Sequence, residues 1–248
     1  PKNAHFIDDF ERVATKALAA KDYFLLVGPP GTGKTSRALR RMVEKYIALP
    51  ESQILLLAYT NRAVDEICSS LDSLEPAINY IRIGSELSCD ERFREKLVEN
   101  VLISFDNRSD VRQCLSACRV YVGTVDSISS KPELFKLKHF DVAIIDEATQ
   151  ILEPQLLWIL TAKSSDGQHA VDKFVLIGDH KQLPAVVLQN KESSEVYDEG
   201  LRDIGLYNLK DSLFERLYRF HLQEEDSSAL DMLCKQGRMH PDVAKFAN

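Results

Sequence analysis

The feature that most constrains the fold is a glycine-rich loop between an apolar run and a helical segment. Residues 28–35 read Gly-Pro-Pro-Gly-Thr-Gly-Lys-Thr, which fits the pattern G-x-x-x-x-G-K-[ST]. The loop follows the apolar residues 23–27 and opens a segment with helical apolar spacing that ends before Pro50. This order predicts a phosphate-binding loop, because backbone amides and a helix N-terminus then point at one anion.

The residues of this loop have distinct predicted roles. Glycines let the backbone wrap closely around phosphate oxygens, Lys34 reaches the β- and γ-phosphates, and the Thr35 hydroxyl ligates Mg²⁺. The predicted nucleotide-binding residues here are Gly28, Pro29, Pro30, Gly31, Thr32, Gly33, Lys34, Thr35 and Ser36.

Apolar runs alternate with helical segments along the chain. The runs are short, rich in Leu, Ile and Val, and bounded by turn residues, which is typical of strands buried on both faces. The alternation predicts an α/β fold with a mostly parallel sheet, helices on both faces and ligands at the carboxyl ends of the strands. The six predicted strands are 23–27, 53–58, 80–83, 119–123, 140–146 and 173–178.

Polar residues follow two of the predicted strands. Asp146 and Glu147 end an apolar strand, where one carboxylate can hold Mg²⁺ and the other can orient and deprotonate a water molecule. Gln182 follows the strand at 173–178 and can bond a γ-phosphate or the attacking water. A P-loop kinase would not need the Asp-Glu pair, and the N-K-x-D segment with which a GTPase reads guanine does not occur in the sequence.

Charge and cysteine content limit the remaining classes of protein. The 248 residues carry 31 Lys and Arg against 38 Asp and Glu, a net charge of -7, so any nucleic acid must be held by a local patch. The odd number of cysteines favours reduced thiols. Cys114 and Cys118 are four positions apart, and we interpret them as structural cysteines rather than as metal ligands. No apolar run is long enough to cross a bilayer and no secretory signal opens the chain, which predicts a cytoplasmic protein.

Four motifs together resemble those of superfamily 1 helicases. They are the loop GPPGTGKTS, then DEATQ, GDHKQLP and QGRMHP, in the family's order and spacing. The similarity is greatest to the branch of nonsense-mediated-decay RNA helicases and DNA-replication helicase-nucleases. It implies a RecA-like P-loop motor domain, Mg²⁺-dependent ATP hydrolysis, movement in the 5′-to-3′ direction, and γ-phosphate contacts from Gln182 and Arg238.

The resemblance extends to two segments that contact nucleic acid in the family. Residues 58–65 resemble T-N-x-A-V-D, and residues 122–127 resemble G-T-x-x-S. As strand-to-helix turns on one sheet edge they would offer polar groups to phosphates without reading bases, although such residues also cap helices. The predicted nucleic-acid contacts are Thr60, Asn61, Thr124 and Ser127.

Two positions depart from the family pattern at the base of the nucleotide. The family usually has a Gln where this chain has Phe10, and an aromatic residue where it has Gly237. Our hypothesis is that Phe10 supplies the apolar contact with adenine that Gly237 does not.

Domain boundaries also follow from the resemblance. We expect residues 1–205 to form the first RecA-like domain, with a helical insertion or stalk at about 86–118, and residues 206–248 to hold a connecting helix and the start of a truncated second domain. On this expectation the chain is a fragment that lacks the second domain's arginine finger, so it should bind ATP and hydrolyse it slowly.

The sequence leaves several properties of the function open. We expect a monomer that acts on single-stranded nucleic acid, with DNA favoured over RNA because the insertion lacks the long barrel of the RNA members. The alternative function is an ATP-gated nucleic-acid-binding module or scaffold without directional movement. A P-loop kinase is a third, more remote alternative.

Overall fold

The computed structural model describes residues 8–182, 185, 187, 190, 192–223 and 228–235. Its centre is a seven-stranded sheet in the order β3-β4-β2-β5-β6-β1-β7, and every neighbouring pair is parallel. The strands are β1 (Tyr23–Val27), β2 (Ile54–Ala58), β3 (Ile81–Ile83), β4 (Val120–Thr124), β5 (Val142–Ile145), β6 (Phe174–Gly178) and β7 (Leu230–Met232).

Helices cover both faces of this sheet. The segment that follows the glycine-rich loop begins as a wide π-helical turn, Lys34–Leu39, and continues as the α-helix α2. The α-helices are α1 (Asp9–Ala19), α2 (Arg40–Ala48), α3 (Asn61–Asp72), α4 (Val98–Leu102), α5 (Arg108–Ala117), α6 (Val125–Ser129), α7 (Glu133–Leu137), α8 (Glu153–Leu160), α9 (Glu199–Asp203) and α10 (Leu213–Gln223).

Alternate strand residues build two separate hydrophobic cores. Leu56 on β2 belongs to the core under α1, α2 and α3, whereas its neighbours Leu55 and Leu57 belong to the core under α6, α8 and α10. Each of these three side chains is fully buried, as a strand covered on both faces requires. The predicted RecA-like α/β fold with a mostly parallel sheet is therefore confirmed.

The predicted helical insertion is present between β3 and β4. It consists of short turns at Glu86–Ser88 and Glu91–Lys96, followed by α4 and α5. Lys138 anchors the end of α5, because its ammonium group donates hydrogen bonds to the carbonyl oxygens of Leu115 (3.2 Å), Ser116 (2.9 Å) and Cys118. Cationic groups are favourable at a helix C-terminus.

The sheet continues beyond residue 205, where we had expected the first domain to end. Strand β7 pairs in parallel with β1, and Leu233 N donates to Val27 O at 2.9 Å. Helix α10 packs on β1 and β6 of the same sheet. The domain boundary at residue 205 stays a prediction. The start of a second domain stays a prediction, since residues 236–248 lie outside the described part of the chain.

The described helices include none that is both long and apolar enough to cross a membrane. All five cysteines are free thiols, and burial raises the pKa of Cys68 to about 12.

Candidate active site

The glycine-rich loop adopts a conformation that non-glycine residues rarely reach. Gly31 and Gly33 have φ angles of 77° and 81°, in the left-handed region that glycine enters at little cost. The Thr32 hydroxyl donates to the Pro29 carbonyl at 2.8 Å and closes the turn. The loop connects β1 to the π-helical turn, and its conformation is stabilised by its own glycines and by the hydrogen bond between Thr32 and Pro29.

Lys34 folds back over Gly28 at the start of the loop. A β-carbon on Gly28 would lie 2.5 Å from Cγ and 2.7 Å from Cδ of Lys34, so the lysine stem needs a glycine beneath it. Burial lowers the pKa of Lys34, while the carboxylates of Asp146, Asp179 and Glu147 raise it. The ammonium group therefore lies in a desolvated place among three acidic side chains.

Asp146 is the central acidic residue of the site. Its side chain is only 1% exposed at the end of β5, and one carboxylate oxygen accepts a hydrogen bond from the Thr35 hydroxyl. Burial raises the pKa of Asp146, against the opposing effect of the Thr35 hydrogen bond. A hydroxyl and a carboxylate in contact supply the hard oxygen ligands that Mg²⁺ prefers, so these two residues fit such an ion.

Glu147 follows in an unusual backbone conformation. Its φ of 53° places it in the left-handed region, and its amide donates to the Asp146 carboxylate at 2.9 Å. This turn separates the two adjacent carboxylates, since the Glu147 side chain reaches the hydroxyl of Thr60 at 3.5 Å instead. Burial and the nearby Asp146 raise the pKa of Glu147, as suits a proton acceptor.

Gln182 lies on the turn that follows β6. Asp179 organises this turn, because its carboxylate accepts from the amide of Lys181 at 3.0 Å and from Nε2 of Gln182 at 2.9 Å. Asp179 is 3% exposed and was not singled out in the sequence, although its position at a strand end was a usable signal.

These residues line one cleft of about 890 Å³ at the carboxyl edge of the sheet. The structure places loop residues 30–36, both adjacent carboxylates and Gln182 around this cleft, whereas the predicted residues Gly28 and Pro29 do not line it. Arg238 and Gly237 lie outside the described residues. The cleft is lined by predicted residues Phe10, Pro30, Gly31, Thr32, Gly33, Lys34, Thr35, Ser36, Asp146, Glu147 and Gln182.

Phe10 lies at the end of the cleft formed by α1. The Arg37 guanidinium carbon is 4.6 Å from the centroid of the half-buried Phe10 ring, the geometry of a cation–π contact. Leu233 and Lys235, which follow β7, line the same end. Arg37 was missed in the sequence, because only the folded loop brings it onto this ring.

The predicted nucleic-acid contacts lie on neighbouring strand ends. Ala58 of β2 and Thr124 of β4 are register partners, so the turns after them share one edge. Thr60 and Thr124 act as helix caps, accepting from Ala63 N at 3.1 Å and Ser127 N at 3.0 Å. Capping does not test nucleic-acid binding, which stays a prediction for Thr60, Asn61, Thr124 and Ser127.

Asp65, in the segment that resembles T-N-x-A-V-D, has a structural contact. Its carboxylate pairs with Arg82 on β3, and Arg82 is only 1% exposed. Among the described residues, Nε and Nη2 of Arg82 have no hydrogen-bond partner. Asp65 therefore neutralises a buried charge.

The P-loop with its Thr35–Asp146 contact, the second carboxylate Glu147 and the turn with Gln182 form a candidate nucleotide site of the kind found in P-loop NTPases. The sequence model of a family described as an AAA domain matches residues 6–110 and 91–190. The DNA replication ATP-dependent helicase/nuclease JHS1 of Arabidopsis thaliana is 34% identical over 97% of this chain, and the human DNA replication ATP-dependent helicase/nuclease DNA2 is 32% identical over 94%. The DNA-binding protein SMUBP-2 of Mesocricetus auratus is 28% identical over 94%.

The chain belongs to the superfamily 1 helicases, in the branch that includes the DNA-replication helicase-nucleases. It spans 16% of the JHS1 protein, 19% of human DNA2 and 25% of SMUBP-2.

Proposed function

We propose that this chain is the first motor domain of an ATP-dependent helicase or translocase that moves 5′ to 3′ on single-stranded nucleic acid, with DNA favoured. The observation that carries the proposal is the convergence of Lys34, Asp146, Glu147 and Gln182 in one cleft. The names of the relatives JHS1 and DNA2 refer to DNA replication and support DNA as the track. The second motor domain and the strand separation itself would belong to the longer protein.

The chain's own residues divide the work of ATP hydrolysis. The loop amides and Lys34 bind the phosphates, and the burial of Lys34 reduces solvent screening of its attraction for them. Glu147 orients the attacking water and takes its proton, and Gln182 bonds the γ-phosphate. Arg238 is the second predicted γ-phosphate contact.

Thr35 and Asp146 would hold the Mg²⁺ that accompanies ATP. Such an ion, when bound, neutralises charge on the β- and γ-phosphates. Their hydroxyl-carboxylate contact holds the two oxygen ligands at one place before the ion enters. The Asp146 carboxylate lines the cleft although the residue is almost fully buried.

Thr60 supports a direct connection between hydrolysis and the nucleic-acid track. Its hydroxyl contacts the Glu147 carboxylate at 3.5 Å, and its side chain also caps α3. A phosphate group that engaged Thr60 and Asn61 would compete for this hydroxyl and release the base. This contact favours a motor over a scaffold in which ATP and nucleic acid bind independently.

The test is steady-state ATP hydrolysis by this chain, alone and with single-stranded DNA or RNA of matched length at low salt. Low salt is needed because phosphate contacts weaken steeply with ionic strength. We expect slow basal hydrolysis with Mg²⁺ and stimulation by DNA. A rate that equals that of Lys34→Ala under every condition would contradict the ATPase assignment.

Glu147→Gln separates the motor from the ATP-gated module. A motor should keep ATP binding and lose turnover, whereas a clamp without hydrolysis should be unaffected in both. Glu133→Gln is the matched control, because this exposed acid begins α7, outside the cleft and outside the segments predicted to contact nucleic acid. Stimulation by RNA and not by DNA would overturn the preference for DNA.

A further inference from the structure

An aromatic contact joins the turn that carries Gln182 to helix α10. Within the turn, Asp179 accepts hydrogen bonds from Lys181 and Gln182, so residues 179–182 are linked to one another. Between them, the His180 ring points away from the cleft and stacks on Tyr218 of α10. The ring centroids are 4.3 Å apart with an interplanar angle of 24°.

Tyr218 is held by the helix that carries it. Its ring also stacks on Phe214, one turn earlier, with centroids 6.5 Å apart. Phe214 is fully buried against the end of β6, where a β-carbon on Gly178 would lie 3.3 Å from its ring. Two aromatic residues of α10 therefore contact this part of the chain in order: Phe214 packs against Gly178 at the end of β6, and Tyr218 packs against His180 in the turn with Gln182.

Two further contacts fix α10 to the ATPase sheet. Arg216 forms a two-point ion pair with Glu153, at 2.7 Å and 2.5 Å, and both side chains are largely buried at the start of α8. At the other end of α10, His221 Nε2 lies 3.0 Å from the Tyr23 hydroxyl on β1. Helix α10 also packs against residues 148–150, directly after Glu147. Helix α10 thus contacts both the residues that follow β5, next to Glu147, and the turn that follows β6 and carries Gln182.

We propose that Tyr218 is a positioning residue, which by stacking on His180 holds the 179–182 turn so that Gln182 meets the terminal phosphate of the nucleotide. The inference rests on the proposed role of Gln182 as γ-phosphate contact. Tyr218 does not line the cleft and so acts only through the turn. Loss of its ring leaves the phosphate-binding loop intact and changes how well the site distinguishes a triphosphate from a diphosphate.

The test measures the affinity of this chain for Mg·ADP and for a non-hydrolysable Mg·ATP analogue, and takes the ratio of the two. Gln182→Ala should lower the preference for the triphosphate about tenfold, the usual effect of removing a hydrogen bond to a charged group. Tyr218→Ala should lower it in the same direction, with ADP affinity unchanged within twofold. Tyr218→Phe keeps the ring and should restore the wild-type ratio.

Two further variants control for folding. Leu222→Ala alters an exposed residue of the same helix and should leave both affinities unchanged. Tyr218→Leu keeps an apolar side chain at this half-buried position, and it replaces Tyr218→Ala in the assay if that variant does not fold.

Three outcomes would overturn the inference, and they show whether the proposed role of Gln182 fails together with that of Tyr218. A normal ratio in Tyr218→Ala beside a lowered ratio in Gln182→Ala refutes the positioning role alone. Equal weakening of ADP and the analogue by Tyr218→Ala means that the ring only supports general folding. An unchanged ratio in Gln182→Ala refutes the proposed sensor, and the positioning role then fails with it.

Discussion

Removal of Asp65 tests whether the segment at 58–65 is partly structural. Asp65→Ala would leave the Arg82 guanidinium, which is 1% exposed, without its ion-pair partner. Loss of one partner of a buried pair costs roughly 3–5 kcal/mol. Because 21% of the Asp65 side chain is exposed, we expect the low end, about 3 kcal/mol. At about 2–4 °C per kcal/mol for a domain of this size, Tm should fall by about 6–12 °C.

The assay is urea unfolding followed by circular dichroism, with Tm as a second readout. Asp106→Ala is the matched control, since it removes an exposed carboxylate from the insertion and should change stability by less than about 0.5 kcal/mol. The double variant Asp65→Leu with Arg82→Met removes both charges and should recover most of the loss. An Asp65→Ala protein as stable as the Asp106→Ala control would refute the buried-pair argument.

Three other predictions concern the loop, the base and pH. Gly28→Ala should abolish tight ATP binding, because the new β-carbon would displace the Lys34 side chain. Calorimetric titration measures the affinity, and a wild-type affinity for ATP would contradict this prediction. Phe10→Ala should weaken ATP about tenfold, a stacking-sized effect, with Tm little changed; equal affinity would refute the base contact. The hydrogen bond to Asp172 (2.9 Å) raises the pKa of His139 above 6.5. Because the pair is exposed, it should add less than about 1 kcal/mol to the free energy of unfolding, and this stabilisation should be complete only below pH 6.5. The loss of stability caused by His139→Gln, measured by urea unfolding, should therefore become smaller as pH rises.

The sheet could be predicted because its strands are buried on both faces. Continuous apolar runs located β1 to β6 within two residues at each end. Strand β7 was missed because its three residues, Leu-Asp-Met, have a charged centre and no apolar run. Its strand character comes from pairing with β1, and Arg12 on α1 pairs with the Asp231 carboxylate. Such pairing brings together residues more than 200 positions apart, which local pattern cannot reveal.

The candidate site divides in the same way. Lys34, Thr35, Asp146 and Glu147 follow from motifs whose chemistry requires those residue types at strand ends. The contact of Glu147 with Thr60 depends on a left-handed turn and on the adjacency of β2 and β5. Neither the turn nor the adjacency is encoded in local spacing, so the two motifs could be predicted separately but not as contacting groups.

The left-handed backbone of Glu147 implies a conflict between durability and catalysis at one residue. A non-glycine residue in this region stores on the order of 1 kcal/mol of strain, which the folded domain must absorb. Glu147→Gly would relieve this strain, but the same substitution would also remove the carboxylate. On the proposed role of Glu147 as the base, the residue best suited to the backbone here is therefore not the residue that hydrolysis needs. Random substitution selected only for thermal stability should then tend to lower ATP turnover.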